Sequence, residues 1–562
     1  MERRYTFTIA TLILLFLLPP ALGKTSKPSA ESAPEVKRWI SLRDHPVSFD
    51  RILERRKENV KENGKDAKGV LSLGLASKSE LGTYPVIDDP KLKASVESFV
   101  KKLIPAGVTP PPYEVVLVDD LGLYNAIRNI PAEHVDVAVE AIGKQLGGGD
   151  YNAFATGGGA IIVPLGTLRA TKTPDELSFL LGHEVSHLMY DHFKTEDREK
   201  LIRNVAGLGV IAASIVAHQG DPRSGNNMMY GSLGLAVVNS IAARSWDRSQ
   251  ELEADQLGSE LMVEASGYSP QAAYNVLERI DAQDKKREVA LDVLCGKGGS
   301  GKHFVTSIFA PFVKKEGLDP DNPACEVRKN FLKDLWVEHP SAADRLTSLK
   351  AYQEKWYPTE QARVPVAFKN LKGKPVDNFV AFASPSGDAN RLMSAYDGID
   401  AVHNKNIGAA KKIFHKLDIG DKEKLAPVLI LGYEISMAEG KRSQAIKYLE
   451  RGTKVPQVVP EVFERLASMY EEDKRWGDAT VLIRFWQSRD SYGDGLYPRL
   501  IRDLREGGKS EEVKDVLDSC RSVRVREIVS LCEREANPPP PESEKNRLWP
   551  SSKPKNDGGE KK

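Results

Sequence analysis

The chain has no surplus of either charge: 80 Lys+Arg face 79 Asp+Glu in 562 residues, a formal charge of +1. Without a cationic excess there is little to displace phosphate counterions, so a nucleic-acid binder is excluded as the first reading. Cysteine is scarce, with four residues, too few for a fold built on disulfides. Long apolar runs are also missing. Ile9–Leu18, Val205–Ala217 and Leu233–Ala243 all fall well short of the ~20 residues that cross a bilayer. What remains is ordinary globular material, 41% hydrophobic and 28% charged, enough for two to four domains at ~150 residues each.

The N-terminus carries Arg3 and Arg4, then the short apolar run, then Pro19-Pro20-Ala21-Leu22-Gly23. That order reads as a secretory signal peptide over residues 1–23. It predicts export into an oxidising compartment, where the local pairs Cys295/Cys325 and Cys520/Cys532 are candidates for disulfides. Residues 24–75 read as a linker followed by a highly charged, solvated helix. Residues 76–357 alternate strand-like runs with long helical patterns. Residues 358–387, rich in Pro, Gly, Lys and Ser, read as a second linker.

From residue 388 to 536 the pattern becomes helical hairpins. Small or apolar residues recur at Ala410, Ala445, Ala479 and Val513, at intervals of 35, 34 and 34. Each is followed at +3 and +4 by two apolar side chains. A 34-residue period with a small residue where two helices approach resembles tetratricopeptide (TPR) repeats, and implies an α-solenoid that binds a protein partner. Residues 537–562, with four consecutive prolines and many lysines, read as a disordered tail.

The chemistry is concentrated in His183-Glu184-Val185-Ser186-His187. Histidines at i and i+4 share one helix face, so both imidazoles can reach one metal ion. Glu184, roughly a quarter-turn from His183, stands where a general base for a metal-activated water belongs. The flanks predict the helix: Thr173 as N-cap, Pro174 at the first position, Glu176 completing a capping box, and Leu177, Leu180, Leu181 and Leu188 as its apolar stripe.

A catalytic zinc needs a third protein ligand and one open position. A metzincin would place histidine at 193 and glycine at 190; these are Phe193 and Tyr190, which excludes that class. His192 is one residue short and reads as a structural or supporting residue. The better donor lies 64 residues after His187, in Arg248-Ser-Gln-Glu251-Leu-Glu-Ala-Asp255. Glu251 is the candidate ligand, Asp255 the acceptor for a ligand histidine's ring N–H, and Arg248 a partner for a carboxylate there. Glu253 reads as part of a solvated acidic face.

Together these motifs resemble the HtpX and CAAX-prenyl-protease type of zinc metallopeptidase, a gluzincin family. Asn152-Ala-Phe-Ala-Thr-Gly-Gly-Gly159 and the following Ala160–Val163 resemble the family's Asn-Ala-Phe-Ala-x-Pro-Gly-Gly strand, with Thr156-Gly157 departing from it. His339-Pro340 and Arg345 resemble its late His-Pro…Arg element. The resemblance implies an α+β, mainly helical fold, with a zincin-like domain ahead of the TPR-like helices, and one Zn²⁺ held by His183, His187 and Glu251. It also implies that substrate backbone pairs with a strand formed by Asn152, Gly158, Gly159, Ala160, Ile161 and Ile162. His339 could stabilise the developing oxyanion, plug the metal's open position, or be a plain loop residue. Residues 120–150, ending in Gly147-Gly-Gly, read as an insertion that reshapes substrate access.

The layout implies an endopeptidase in the periplasm of a Gram-negative bacterium. It would cleave polypeptides, dock through its repeats to outer-membrane assembly machinery, and touch the membrane peripherally at most. The rival reading is a non-catalytic chaperone or adaptor working through the repeats.

Overall fold

The computed structural model describes residues 37–65, 67–77, 85–121, 153–193, 248–294, 341–370, 372–417, 420, 423–456, 459–489, 493–523 and 526–538. Residues 1–36, the glycine-ended insertion, both apolar stretches, Asn152, Cys295, Cys325, His339 and nearly all of the C-terminal tail lie outside them. Among the described residues, no helix is long and apolar enough to cross a membrane.

The described residues are mainly helical with one small sheet. In the N-terminal part, α1 (Arg38–Asp44), α2 (Asp50–Asn63) and α3 (Pro90–Leu103) precede β1 (Glu114–Val118), β2 (Phe154–Ala155) and β3 (Ala160–Pro164). After these come α4 (Leu165–Ala170), α5 (Pro174–Met189), α6 (Arg248–Glu260), α7 (Gln271–Leu294), α8 (Ala342–Trp356) and α9 (Phe379–Ala383).

The strand order is β1-β3-β2, with β1 parallel and β2 antiparallel to the central β3. Side chains alternate across the pleat. Val115, Leu117, Ile161 and Val163 face the helical core. Val116, Val118, Phe154, Ala160 and Ile162 form a second cluster with Leu75 and Ala76. The sheet is therefore covered on both faces, which explains why β3 is apolar throughout and wholly buried.

The charged helix α2 does form, but it is a buttress as well as a solvated face. Ile52 is buried, and Arg56 donates from Nε to the Gly158 carbonyl (2.6 Å) and from Nη2 to the Pro112 carbonyl (2.5 Å). The turn it supports requires glycine. Gly159 has φ +86°, and a Cβ on Gly158 would lie 2.3 Å from the Gly74 carbonyl oxygen. Next to Gly157, which stands where the family has proline, the Thr156 hydroxyl donates to the Leu75 carbonyl (2.5 Å) and accepts from Ala160 N–H (2.9 Å). Residues 358–387 are likewise packed. Phe368, Phe379 and Val380 are buried, and the Phe379 ring meets Phe99 edge-on at 5.5 Å. Aromatic side chains anchor what composition alone reads as a spacer.

The C-terminal part is a row of helices: α10 (Asp388–His403), α11 (Ile407–Lys416), α12 (Ala426–Ala438), α13 (Arg442–Gly452), α14 (Pro460–Glu472), α15 (Trp476–Arg489), α16 (Tyr497–Glu506), α17 (Ser510–Arg521) and α18 (Arg526–Ala536). Each packs on helices one or two places away in sequence. Ala410, Ala445 and Ala479 are all fully buried, as their spacing predicts. The row joins the N-terminal part through polar contacts: the Tyr396 hydroxyl donates to Asp119 (2.5 Å), and Arg169 pairs with Asp397 (2.6 Å). Cys520 and Cys532 are disulfide-bonded, linking α17 to α18.

Between α14 and α16 lies a buried ionic cluster. Arg499 and Arg502 hold Glu471 at 2.5 and 2.9 Å, and Arg502 also reaches Asp503 at 3.1 Å. Burial, then the neighbouring Glu471 charge, push the Asp503 carboxyl up to about 7. An acid whose folded pKa is raised is stabilised in its protonated form. Its contribution is full below the unfolded value of ~3.9 and is lost as pH rises from there through about 7. Asp503→Asn is therefore expected to raise the melting temperature at pH 8, by several degrees at ~2–4 °C per kcal/mol, and by less at pH 5. Equal melting shifts at both pH values would contradict this.

Candidate metal centre

Helix α5 begins as its sequence requires. Thr173 Oγ1 accepts from Glu176 N–H (3.1 Å), Pro174 takes the first turn, and Glu176 reaches back to Lys172 N–H (2.7 Å). The helix is buried from Asp175 to Met189, so its histidines sit in the core. It crosses α6 at a pair of glycines. A Cβ on Gly182 would stand 2.9 Å from the Gly258 carbonyl oxygen, and one on Gly258 would stand 2.8 Å from His183 N. Only glycine at both positions lets the backbones approach this closely, and the approach carries Glu251 to the histidines.

His183, His187 and Glu251 converge. Nε2 of His183 and Nε2 of His187 are 3.1 Å apart, and each lies 3.5 Å from a Glu251 carboxylate oxygen. An ion about 2.1 Å from each of three tetrahedral donors sets them roughly 3.4 Å apart, so the triangle has the size zinc needs. Charge agrees as well. Among the described residues, Glu184, Glu251 and Asp255 are three buried carboxylates beside one buried guanidinium, Arg345, a formal deficit that one divalent cation cancels. The donor set of two imidazoles and one carboxylate suits zinc.

Around the triangle, His183 Nδ1 lies 3.0 Å from Asp255 Oδ1, which fixes the ring proton on Nδ1 and directs the Nε2 lone pair into the site. Burial alone would raise the Asp255 carboxyl, but Arg345 and His183 outweigh it and hold it far below the usual range. Arg345 grips Asp255 with two bonds, from Nε (2.7 Å) and Nη2 (2.6 Å), and reaches Glu251 with Nη1 (3.1 Å). Burial opposes its charge, yet these carboxylates push its pKa up. Glu184 stands beside the triangle with Oε2 accepting from Ala155 N–H of β2 (2.7 Å).

Three expectations change. Arg248 does not serve Glu251; it is exposed and pairs with Asp344 at 3.4 Å. The arginine at the carboxylates is Arg345 on α8, 97 residues further on, which local spacing on α6 does not reveal. The proposed substrate strand is also misplaced. Ala160, Ile161 and Ile162 lie in the central β3, hydrogen-bonded to β1 and β2, so their backbone is already used. Among the described residues the sheet's edges are β1, bridged at Val118 by Val86, and the buried β2, whose Ala155 N–H points away from β3 toward Glu184. Gly158 and Gly159 form the turn between the two strands; Asn152 and His339 lie outside the described residues. Finally, Glu253 is drawn inward: His192 Nε2 is 3.4 Å from its carboxylate.

A buried His-Glu-x-x-His helix with a carboxylate from a second helix defines the metallopeptidase class. Residues 89–353 match peptidase family M48, and the chain carries a domain of that zinc metallopeptidase family. Among curated relatives, it is 30% identical over 135 residues to the beta-barrel assembly-enhancing protease of Yersinia pestis, covering 24% of this chain and 27% of that protein. It is 23% identical over 237 residues to the protein of that name from Escherichia coli, covering 40% and 41%. The mitochondrial metalloendopeptidase OMA1 of Bos taurus is 28% identical over 116 residues, covering 21% and 22%. The matched part thus spans between about a fifth and two fifths of these relatives.

Proposed function

We propose that this protein is a zinc-dependent endopeptidase of the bacterial cell envelope that cleaves extended or misfolded polypeptides, with a role in the quality control or assembly of outer-membrane proteins. The observation that carries the reading is the buried triangle of His183, His187 and Glu251 with Glu184 beside it. In this reading the three side chains hold one Zn²⁺. Zinc, when bound, acts as a Lewis acid that polarises the scissile carbonyl and brings the pKa of water toward neutrality. Glu184 takes the proton of the attacking water and delivers it to the leaving amine. The Ala155 amide keeps that carboxylate aimed. Arg345 and Asp255 hold Glu251 and His183 in register.

Substrate would run along β2, an edge strand of the sheet, where main-chain pairing recognises extended chain with little side-chain preference. The helical row from α10 to α18 would serve as a TPR-like docking surface for outer-membrane assembly machinery. Two features favour an exported location: the signal-like N-terminus and the Cys520–Cys532 disulfide, since such bonds persist in oxidising compartments.

The test is cleavage of an unfolded protein such as reduced casein. The zinc-loaded chain is expected to hydrolyse it, a chelator to stop it, and added zinc to restore it. Glu251→Ala should retain less than a tenth of a zinc equivalent by elemental analysis. A full equivalent in that variant would show that the carboxylate ligand is another residue.

A further inference from the structure

Beyond the triangle, a second polar chain leads from His187 to α1, the first of the described helices. After Met189 the backbone leaves α5 through Asp191, whose φ of 48° is the left-handed conformation that reverses the chain. His192 is thereby folded back under the helix, with its N–H bonded to the His187 carbonyl (3.1 Å) and its own carbonyl accepting from Gln250 Nε2 (3.2 Å). Its ring stacks on Tyr190 (centroids 5.5 Å apart, 19° between planes) and is buried. His192 Nδ1 lies 2.8 Å from His187 Nδ1. On its far side, His192 Nε2 faces Glu253 Oε2 at 3.4 Å, and Glu253 Oε1 faces Arg38 Nη1 of α1 at 3.4 Å.

These contacts leave one consistent placement of protons. With His187 Nε2 directed into the triangle as a lone pair, its proton is on Nδ1 and is donated to His192 Nδ1. His192 must then carry its own proton on Nε2, the nitrogen 3.4 Å from the Glu253 carboxylate. We infer that His192, oriented by Glu253 and through it by Arg38, is the positioning residue that sets the tautomer and ring angle of His187. It does for His187 what Asp255 does for His183. His192 is not a fourth ligand, because it meets His187 on the side of the ring opposite Nε2. A neutral imidazole here has a consequence for charge: a carboxylate against both histidines would put another negative charge in a core that already holds three. The inference rests on the zinc-peptidase reading above.

The test is zinc affinity, measured by chelator competition in the Glu184→Gln background, where self-cleavage cannot interfere. Supporting partners of metal-bound histidines are worth 10–100-fold in affinity. His192→Leu, which cannot accept the bond, is expected to weaken zinc binding by about that factor. His192→Gln, whose Oε1 can accept it, should recover most of the loss. Both should melt within a few degrees of the parent when metal-free. Glu253→Ala, at a partly exposed position, should weaken zinc binding several-fold and tests the same chain without a core substitution. Parental affinity in His192→Leu and Glu253→Ala would overturn the inference alone. Equal losses in the leucine and glutamine variants would assign His192 a packing role and overturn it too. A parent that takes up no zinc would sink the peptidase reading, and this inference with it.

Discussion

Glu184→Gln is expected to abolish proteolysis while leaving the protein folded and zinc-loaded. The glutamine amide keeps the size and one acceptor oxygen of the carboxylate, so it can still accept the Ala155 N–H bond made at 2.7 Å. It cannot take a proton from water. General-base groups contribute roughly 10²–10⁴-fold to such steps, so kcat/KM for a peptide substrate should fall by at least ~10², with zinc content and melting temperature near the parent's. Hydrolysis at parental rates would remove Glu184 from the mechanism. The same variant separates protease from adaptor: a cellular role fully rescued by Glu184→Gln would mean the helical row, and not the metal site, does the biological work.

Arg345→Ala is expected to be the most destabilising single change in the site. Arg345 is buried and bonded to both Asp255 and Glu251. Truncating it strands two carboxylates in the core. Removing one partner of a buried ion pair typically costs about 3–5 kcal/mol, because the other charge is left without compensation. That is a large part of the ~5–15 kcal/mol of a typical domain. Urea unfolding of the metal-free protein should show the loss, and adding Asp255→Asn should return part of it by removing one stranded charge. Arg345→Lys should not restore stability, since an ammonium cannot make the paired bonds to Asp255. A change below about 1 kcal/mol would mean that water or another cation reaches these carboxylates.

How much was legible follows from how far apart the cooperating residues lie. His183, Glu184 and His187 could be read because helical geometry converts their spacing into a shared face, and Thr173 to Glu176 mark where that helix starts. Glu251 and Asp255 were legible by the same i, i+4 rule, but only in company with the first motif. Arg248 obeys that rule equally well and is in the wrong place, since periodicity states which residues share a face and not what meets them. His192 showed its nearness in sequence but not its role, which depends on a chain reversal at Asp191. The sheet misled for a related reason: the Gly-rich turn and the apolar strand after it are plain in the sequence, yet which strand lies at the edge is a property of pairing order.

By itself, then, the amino-acid order determined the chemistry available: two imidazoles and a base on one helix, an acidic helix to complete them, and a periodic row of hairpins behind. Local propensity and the 3.6-residue turn suffice for that. Tertiary structure alone decided how those groups are held. The Gly182–Gly258 crossing, the Arg345 clamp, the His192 chain, the burial of β3 and the edge position of β2 are all set by tertiary packing. Their contacts depend on close packing and on the compensation of buried charge, which no short stretch of sequence carries.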